Sequence, residues 1–325
     1  MQIYVIKRLL QVVPTVLIIT LVVFVMIQAI PGDPIVTLLG DAYDEEDAIK
    51  LRKAYGLDQP VIVQYFVWLG KLLQGDWGTS ILTGRPVLRD VLMRLPITIE
   101  LIVLAMTIAL IIAIPAAIVA ATRQNTWRDY TAMSTALAGV SIPEFFLGIL
   151  LLLLFSVGLK GMLPSSGWVY LPGTCSMAVC EESVLGNLKH VLMPAIALGV
   201  ARAAILTRLL RASMLEIIRA EYITTARAKG LAEKVVIAKH AVKNALIPTI
   251  TIMGLQLSFL IGGAIVVETV FAIPGLGTFG INAILARDYQ QVQGFILLTA
   301  FAFVFLSLLV DLAYSFLDPR IRYGT

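Results

Sequence analysis

The chain is short of charge. Of its 325 residues only 14% are Asp, Glu, Lys or Arg, against about 25% in ordinary soluble domains. Hydrophobic residues make up 59%, and the mean hydropathy is +0.90. One globular core cannot hide that much apolar surface, which excludes a soluble enzyme and a disordered chain. Cysteine is scarce too. Cys175 and Cys180 are the only two, so neither a disulfide framework nor a four-cysteine zinc site is available. Only His190 and His240 occur, which excludes a histidine-rich metal site; both read as local hydrogen-bonders. The sequence has no GxxxxGK[ST] phosphate loop, no HExxH pair and no convincing GxSxG element. Energy for any work must therefore come from another chain or from an ion gradient. No period of about 20–50 residues repeats, so the chain reads as one bundle rather than a solenoid.

What is present is a series of long apolar runs. A helix needs about 20 mostly apolar residues to cross a bilayer. Six segments qualify: 9–30, 97–121, 131–159, 191–210, 247–271 and 294–317. The expected fold class is an all-α membrane protein of six transmembrane helices. The first run follows Lys7 and Arg8 but is too long for a signal-peptide core, and Gln28-Ala29-Ile30 is a poor cleavage site. It reads as an uncleaved anchor. Orientation follows from Lys and Arg in short loops. With the N-terminus inside, the inner segments hold thirteen: Lys7, Arg8, Arg123, Arg128, Arg320 and Arg322, with seven more in 211–246. The two short outer loops hold Lys160, Lys189 and Arg287. Both termini are thus expected in the cytoplasm. The organisation is residues 1–30 as N-terminal segment and first span, 31–96 as an outer cap, and 97–325 as the core. The core includes an outer loop, 160–190, and an inner connection, 211–246.

The outer cap is expected to form short helices near 46–56 and 60–74, the second starting at Pro60 and carrying Tyr65, Phe66 and Trp68 at the headgroup level. It reads either as a covering loop or as a docking surface. The inner connection is more informative. Leu215, Ile218, Tyr222 and Ala226 follow helical spacing as one apolar stripe, and Gly230 suits the position just past a helix end. A second amphipathic segment carries Val235, Val236, Ala238, Val242 and Leu246, and Pro248 is expected to open the next span. This helix–Gly–helix unit has a net charge of about +4. It is too long for a bare connector, which leaves a lipid surface or a partner's groove as its target.

Ionisable residues inside spans are functional candidates, because exposing them to lipid costs several kcal/mol or more. Glu144, Glu268, Asp311 and Arg202 are candidates for a polar translocation path, with internal pairing (an Arg202–carboxylate bridge, for example) as the competing reading. Glu100 reads as internally paired and Arg208 as reaching for the inner face. Gly254, Gly262 and Gly263 read as close-packing positions. Cys175 and Cys180 lie in the outer loop, where an oxidising compartment favours one local disulfide over two free thiols.

Thr225-Ala226-Arg227-Ala228-Lys229-Gly230, followed by His240 and Asn244-Ala245 before Pro248, resembles the cytoplasmic "EAA" loop of ABC importer permeases, in the dipeptide/oligopeptide branch. Pro31-Gly32-Asp33-Pro34, Gly56-Leu57-Asp58-Gln59-Pro60, Gly75-Asp76-Trp77-Gly78 and Ser80 fit the same branch. So do Leu192-Met193-Pro194-Ala195, Pro274-Gly275-Leu276-Gly277, Arg287-Asp288-Tyr289 and Asp318-Pro319-Arg320-Ile321-Arg322. These marks run in order along nearly the whole chain. One departure stands out: where the general loop has Glu-Ala-Ala, this chain has Thr224, Thr225 and Ala226, and Glu221 lies three residues too early. A charge contact of the general motif is therefore not carried over.

The resemblance implies a type I importer permease in the bacterial inner membrane, paired with a second homologous permease. It implies two ABC ATPase subunits that bind ATP and magnesium, an external substrate-binding protein, surrounding lipid and no nucleic acid. This chain would be a transport subunit with no catalytic residue, cofactor or metal of its own. Glu221, Tyr222, Thr224, Thr225, Ala226, Arg227, Ala228, Lys229 and Gly230 would form the coupling helix seated on an ATPase. The expected cargo is a di- or oligopeptide, with glutathione, a nickel complex or a sugar as alternatives in the same class. An ion-coupled secondary transporter and a membrane scaffold are the remaining readings.

Overall fold

The computed structural model describes residues 2–28, 44–55, 58–174 and 182–317. Among these the chain is almost wholly helical. Its elements are α1 (Gln2–Gln28), α2 (Glu45–Tyr55), α3 (Val61–Leu73), α4 (Val87–Thr122), α5 (Trp127–Ser141), α6 (Glu144–Leu151), α7 (Val184–Ile218), α8 (Glu221–Ala228), α9 (Lys243–Val270), α10 (Leu276–Leu285) and α11 (Tyr289–Leu317). A π-helical stretch, Leu152–Gly158, prolongs α6. A short turn, Glu233–Val235, and a second π-helical stretch, Val236–Val242, lead into α9.

Four helices are long and apolar enough to cross a membrane: α4, α7, α9 with its lead-in, and α11. A fifth span is available if α5 and α6 count as one bent unit, while α1 has a shorter apolar stretch, Leu10–Met26. The expected third span is therefore corrected. Residues 131–159 do not form one straight helix; the two halves meet at 97°. The cause is local. Pro143 disfavours the helical conformation at the residue before it, and Ile142 is extended at φ −87°, ψ 120°. Pro143 then leads into α6.

Pro248 is a second correction. It lies inside α9 rather than at its start, and the apolar periodicity before it also shifts. The buried residues there are Val236, Ile237, Ala241 and Ala245, while Val235 and Ala238 are exposed. A π-helical stretch bonds i to i+5, so a stripe read at ordinary α spacing lands on the wrong side chains. The short outer helices form as expected. Pro60 precedes the first turn of α3, and Tyr65 of α3 packs on Phe24 of α1 with ring centroids 5.5 Å apart.

The centre of the bundle is the α4–α7 seam. On α4 the buried residues Leu101, Ala105, Ala109, Ala113 and Ala117 recur every fourth position, which places them on one face. They meet Leu198, Ala203, Leu206 and Leu210 of α7. Alanine lets the two backbones come close, and in lipid such packing is a main source of helix association. Gly199 marks the tightest point: a Cβ there would lie 2.7 Å from the Ala105 carbonyl oxygen. Gly254 acts likewise between α9 and α11, against Val310. Gly262 has nothing within 4 Å and is not a packing glycine within this chain; the side of Gly263 lies outside the described residues.

Gly199→Val is expected to destabilise the fold by about 1–3 kcal/mol through overpacking. Gly70→Ala in α3, where a Cβ meets open space, should be neutral or slightly stabilising. Thermal unfolding of the detergent-solubilised protein checks both, and equal midpoints for the two variants would contradict the seam.

Candidate functional site

Two polar constellations lie off the apolar seam, at different levels of the bundle. The first is at the basic end. The chain leaves α7 at Arg219, turns, and enters α8, whose Ile223 and Ala226 are buried. They sit in one cluster with Ala117 and Ala121 of α4, Leu210 and Met214 of α7, and Val236 and Ile237. Glu221, Tyr222, Thr224, Thr225, Arg227, Ala228 and Lys229 are exposed. The buried stripe is thus Ile223 and Ala226. Tyr222 is 45% exposed, which corrects its expected place on the stripe: the break at Arg219–Ala220 rotates α8 relative to α7. Gly230 follows the helix with φ +78°, the left-handed conformation for which the sequence marked it.

The unit is braced by polar contacts. Arg227 grips Glu233 through Nε at 3.1 Å and Nη2 at 2.8 Å, closing the Gly230 turn. The Arg227 guanidinium holds the Glu233 carboxyl below its usual range. A lowered carboxylate contributes stability above its unfolded value of about 4.3 and loses it as pH falls through the folded value. The brace therefore persists at neutral pH. Both partners are exposed, so it orients the turn more than it stabilises the fold. Asn244 Nδ2 donates to Tyr222 Oη at 3.2 Å and to the His240 carbonyl at 2.8 Å. His190 lies within 2.8 Å of the Gly186 carbonyl.

The second constellation sits at the α5–α6 bend. Arg202 of α7 pairs with Glu144, the first residue of α6, at 2.8 Å. Both side chains are largely covered, with 14% and 21% exposure. The pair opens on a groove of about 340 Å³ that includes Ile142, Pro143, Ile205 and Val267. Arg202 Nε is buried and makes no hydrogen bond, a state that costs roughly 1–3 kcal/mol.

The other intramembrane candidates divide. Glu268 lies at 0% exposure inside the fold, not on the groove. Its Oε1 accepts from the Thr98 hydroxyl at 2.7 Å and its Oε2 from the Thr278 backbone N–H at 3.0 Å. A Cβ at Gly275 or Gly277 would run into its carboxylate. The Pro274–Gly277 motif is thus the bed on which this carboxylate lies. Arg208 is exposed. The Asp311 side chain, Cys175 and Cys180 lie outside the described residues.

Three contacts were not foreseen. Arg211 makes a two-pronged bond to Asp129, at 2.7 and 2.6 Å, tying α7 to the first turn of α5. Thr98 links Glu268 to the Leu276 N–H. Ser80 donates to Asp288, which also accepts from the Gln291 N–H at the start of α11. Opposite charges at the same end of adjacent helices were the available signal for Asp129 and Arg211. Nothing in a single sequence pairs Ser80 with Asp288.

The family and sequence comparisons agree with one another. The family described as "Binding-protein-dependent transport system inner membrane component" matches residues 113–323, and its N-terminal companion family matches 1–102. The dipeptide transport system permease protein DppB of Alkalihalophilus pseudofirmus is 42% identical, with 98% of this chain and 99% of the relative covered. The glutathione transport system permease protein GsiC of Escherichia coli is 39% identical, over 98% and 99%. A crystal structure of an amino acid ABC transporter with histidines aligns at TM-score 0.47 and 17% identity, covering 71% of this chain and 94% of that one.

Glu268→Ala should strand the Thr98 hydroxyl and the Thr278 N–H and lower stability by about 1–3 kcal/mol. Glu268→Gln, which keeps an acceptor, should cost less. Thermal unfolding ranks the two, and the reverse order would argue against the buried hydrogen-bond role.

Proposed function

This chain belongs to the binding-protein-dependent transport system inner membrane component family, in the dipeptide/oligopeptide permease branch, and from that premise we propose that it is one of two permease subunits of an ATP-driven importer for short peptides. In this reading both termini face the cytoplasm, which puts α8 and the basic end inside. Two ATPase subunits hydrolyse ATP, and an external binding protein delivers cargo. The chain itself makes and breaks no covalent bond. The cargo class follows the relatives' names, dipeptide and glutathione; both are small molecules with peptide linkages and charged ends.

The observation that carries the coupling role is the two-faced packing of α8. Its buried face, Ile223 and Ala226, is fixed to the ends of α4 and α7. Among the described residues, its other face is held to its own chain by the Tyr222–Asn244 and Arg227–Glu233 braces. A short helix fixed on one side and exposed on the other transmits a partner's displacement to the spans behind it. Tyr and Arg are types enriched at interfaces. Alternating access then follows if the ATPases move α8 and the α4–α7 pair moves with it.

The test uses exposed positions, because Ala226 is buried and enlarging it would disturb the fold itself. Thr225→Trp and Ala228→Trp should leave insertion and thermal stability near wild type. In the reconstituted complex they should reduce peptide uptake by roughly tenfold or more, an energy of about 1.4 kcal/mol at the interface, while ATP hydrolysis no longer responds to cargo. Wild-type uptake in both variants would remove α8 from the coupling role.

A further inference from the structure

Charges inside a span are retained when they are paired or when they act. The Glu144–Arg202 pair does the first incompletely. Arg202 Nη2 meets Glu144 Oε1 at 2.8 Å, but Arg202 Nε, buried, has no partner. The Asp129–Arg211 pair, between α5 and α7, shows the alternative. There Nε and Nη2 each take one carboxylate oxygen, so that pair is closed, and its carboxylate is further satisfied by the Asn125 N–H. The guanidinium at the bend thus keeps donor capacity in reserve, beside a groove.

The groove has the right surroundings for a ligand. Irregular backbone at membrane depth is tolerated where it is packed in protein or lines a cavity, and Ile142–Pro143 is such a stretch, exposed at both residues. The volume, about 340 Å³, falls within the range of roughly 300–1,000 Å³ typical of small-molecule sites. The walls are mainly apolar, and Glu144 and Arg202 are the charged residues among them.

We propose that Glu144 and Arg202 form a binding site for a small zwitterion, a free-ended peptide, with Arg202 taking the carboxylate and Glu144 taking the ammonium as their own bond opens. The site lies within this chain and rests on the importer reading above. A ligand with a single charge cannot open the pair without stranding one ion in low dielectric, whereas a ligand with both charges replaces each partner by its equivalent. The incoming carboxylate also has two oxygens to offer, so it satisfies Nη2 and the idle Nε together, as Asp129 does for Arg211. Selectivity for molecules that carry both charges is therefore built into the bend, whatever their side chains.

The test is ligand-induced stabilisation of the purified complex, permease subunits with ATPases, in nanodiscs without the binding protein. Dialanine at millimolar concentration should raise the unfolding midpoint. N-acetyldialanine, dialanine amide and the doubly blocked compound should not. The paired variant E144Q/R202Q should fold and lose the dialanine shift. The swapped variant E144R/R202E, which keeps both charges, should retain a reduced shift. Equal shifts with free and blocked compounds, no shift in the wild type, or a full shift in E144Q/R202Q would each overturn the proposal. The comparison of free and blocked compounds on the wild type decides even if a variant does not fold. The importer reading is tested separately, by ATP-dependent uptake into proteoliposomes with the binding protein present; its failure there leaves the binding result legible.

Discussion

Lipid supplies no hydrogen bonds, so every polar group at membrane depth must find its partner inside the protein or along a wet cavity. That constraint organises the bundle. The Glu268 carboxylate is surrounded by donors from two other parts of the chain, Thr98 and Thr278. Other threonine hydroxyls on α4, α5 and α9, those of Thr107, Thr135 and Thr249, return to carbonyls three or four residues earlier. The prolines in α1, α4, α7 and α9 leave helices continuous. At Pro143 the α5–α6 unit breaks instead, beside a charged pair.

The same constraint explains why motifs distant in sequence meet in space. Ser80, just after Gly75–Gly78, reaches Asp288, which starts α11. The Pro274–Gly277 turn lies over Glu268, and its Leu276 N–H binds Thr98. Trp77 stacks edge-on with Phe301 at 6.3 Å, and Gly294 leaves room for Val87. These marks are thus one interlocked surface at the end away from α8. Among the described residues, the marks at Ser80, Pro274–Gly277 and Asp288 are in mutual contact, and Gly275 and Gly277 make room for the Glu268 carboxylate.

Legibility in the sequence followed the range of the interaction. Apolar runs announced α4, α7, α9 and α11, because hydropathy is a property of each segment alone. Pro60 and Gly230 were readable for the same reason: a ring that fixes φ and a missing Cβ act within one or two residues. The bend at Pro143 was missed although the proline was in view, since prolines in apolar helices more often leave them intact, as Pro96, Pro115 and Pro194 do here. The π-helical stretch at Val236–Val242 was invisible for a different reason: nothing local marks a change from four- to five-residue bonding, so the apolar stripe was assigned to neighbouring residues. The pairs Asp129–Arg211 and Ser80–Asp288 depend on helix packing and cannot be read from segments. Arg202 with a carboxylate was foreseeable as a type, since a buried charge needs a partner; that the partner is Glu144 required the bend.

The bend also decides which part of the bundle is able to move. α4 and α7 share an alanine seam with no slack at Gly199, and α8 is packed onto their ends, so these three behave as one block. The α5–α6 unit also packs small residues on its neighbours, Gly139 against Ala204 and Val200 and Gly148 against Phe271 and Ala197. It is tied to α7 at two charged points, Arg211 and Arg202, nine residues apart on one helix, or roughly 13.5 Å along its axis. The Arg211 tie is bidentate and near the end where α8 lies; the Arg202 tie leaves Nε unpartnered and sits beside the extended Ile142. A force applied at α8 meets the bidentate tie first, and the other tie lies where the helix is interrupted between Ser141 and Glu144. Opening is then expected to concentrate at Glu144 and Arg202, which makes the same two residues the hinge of the bent span and the charges that a ligand would meet.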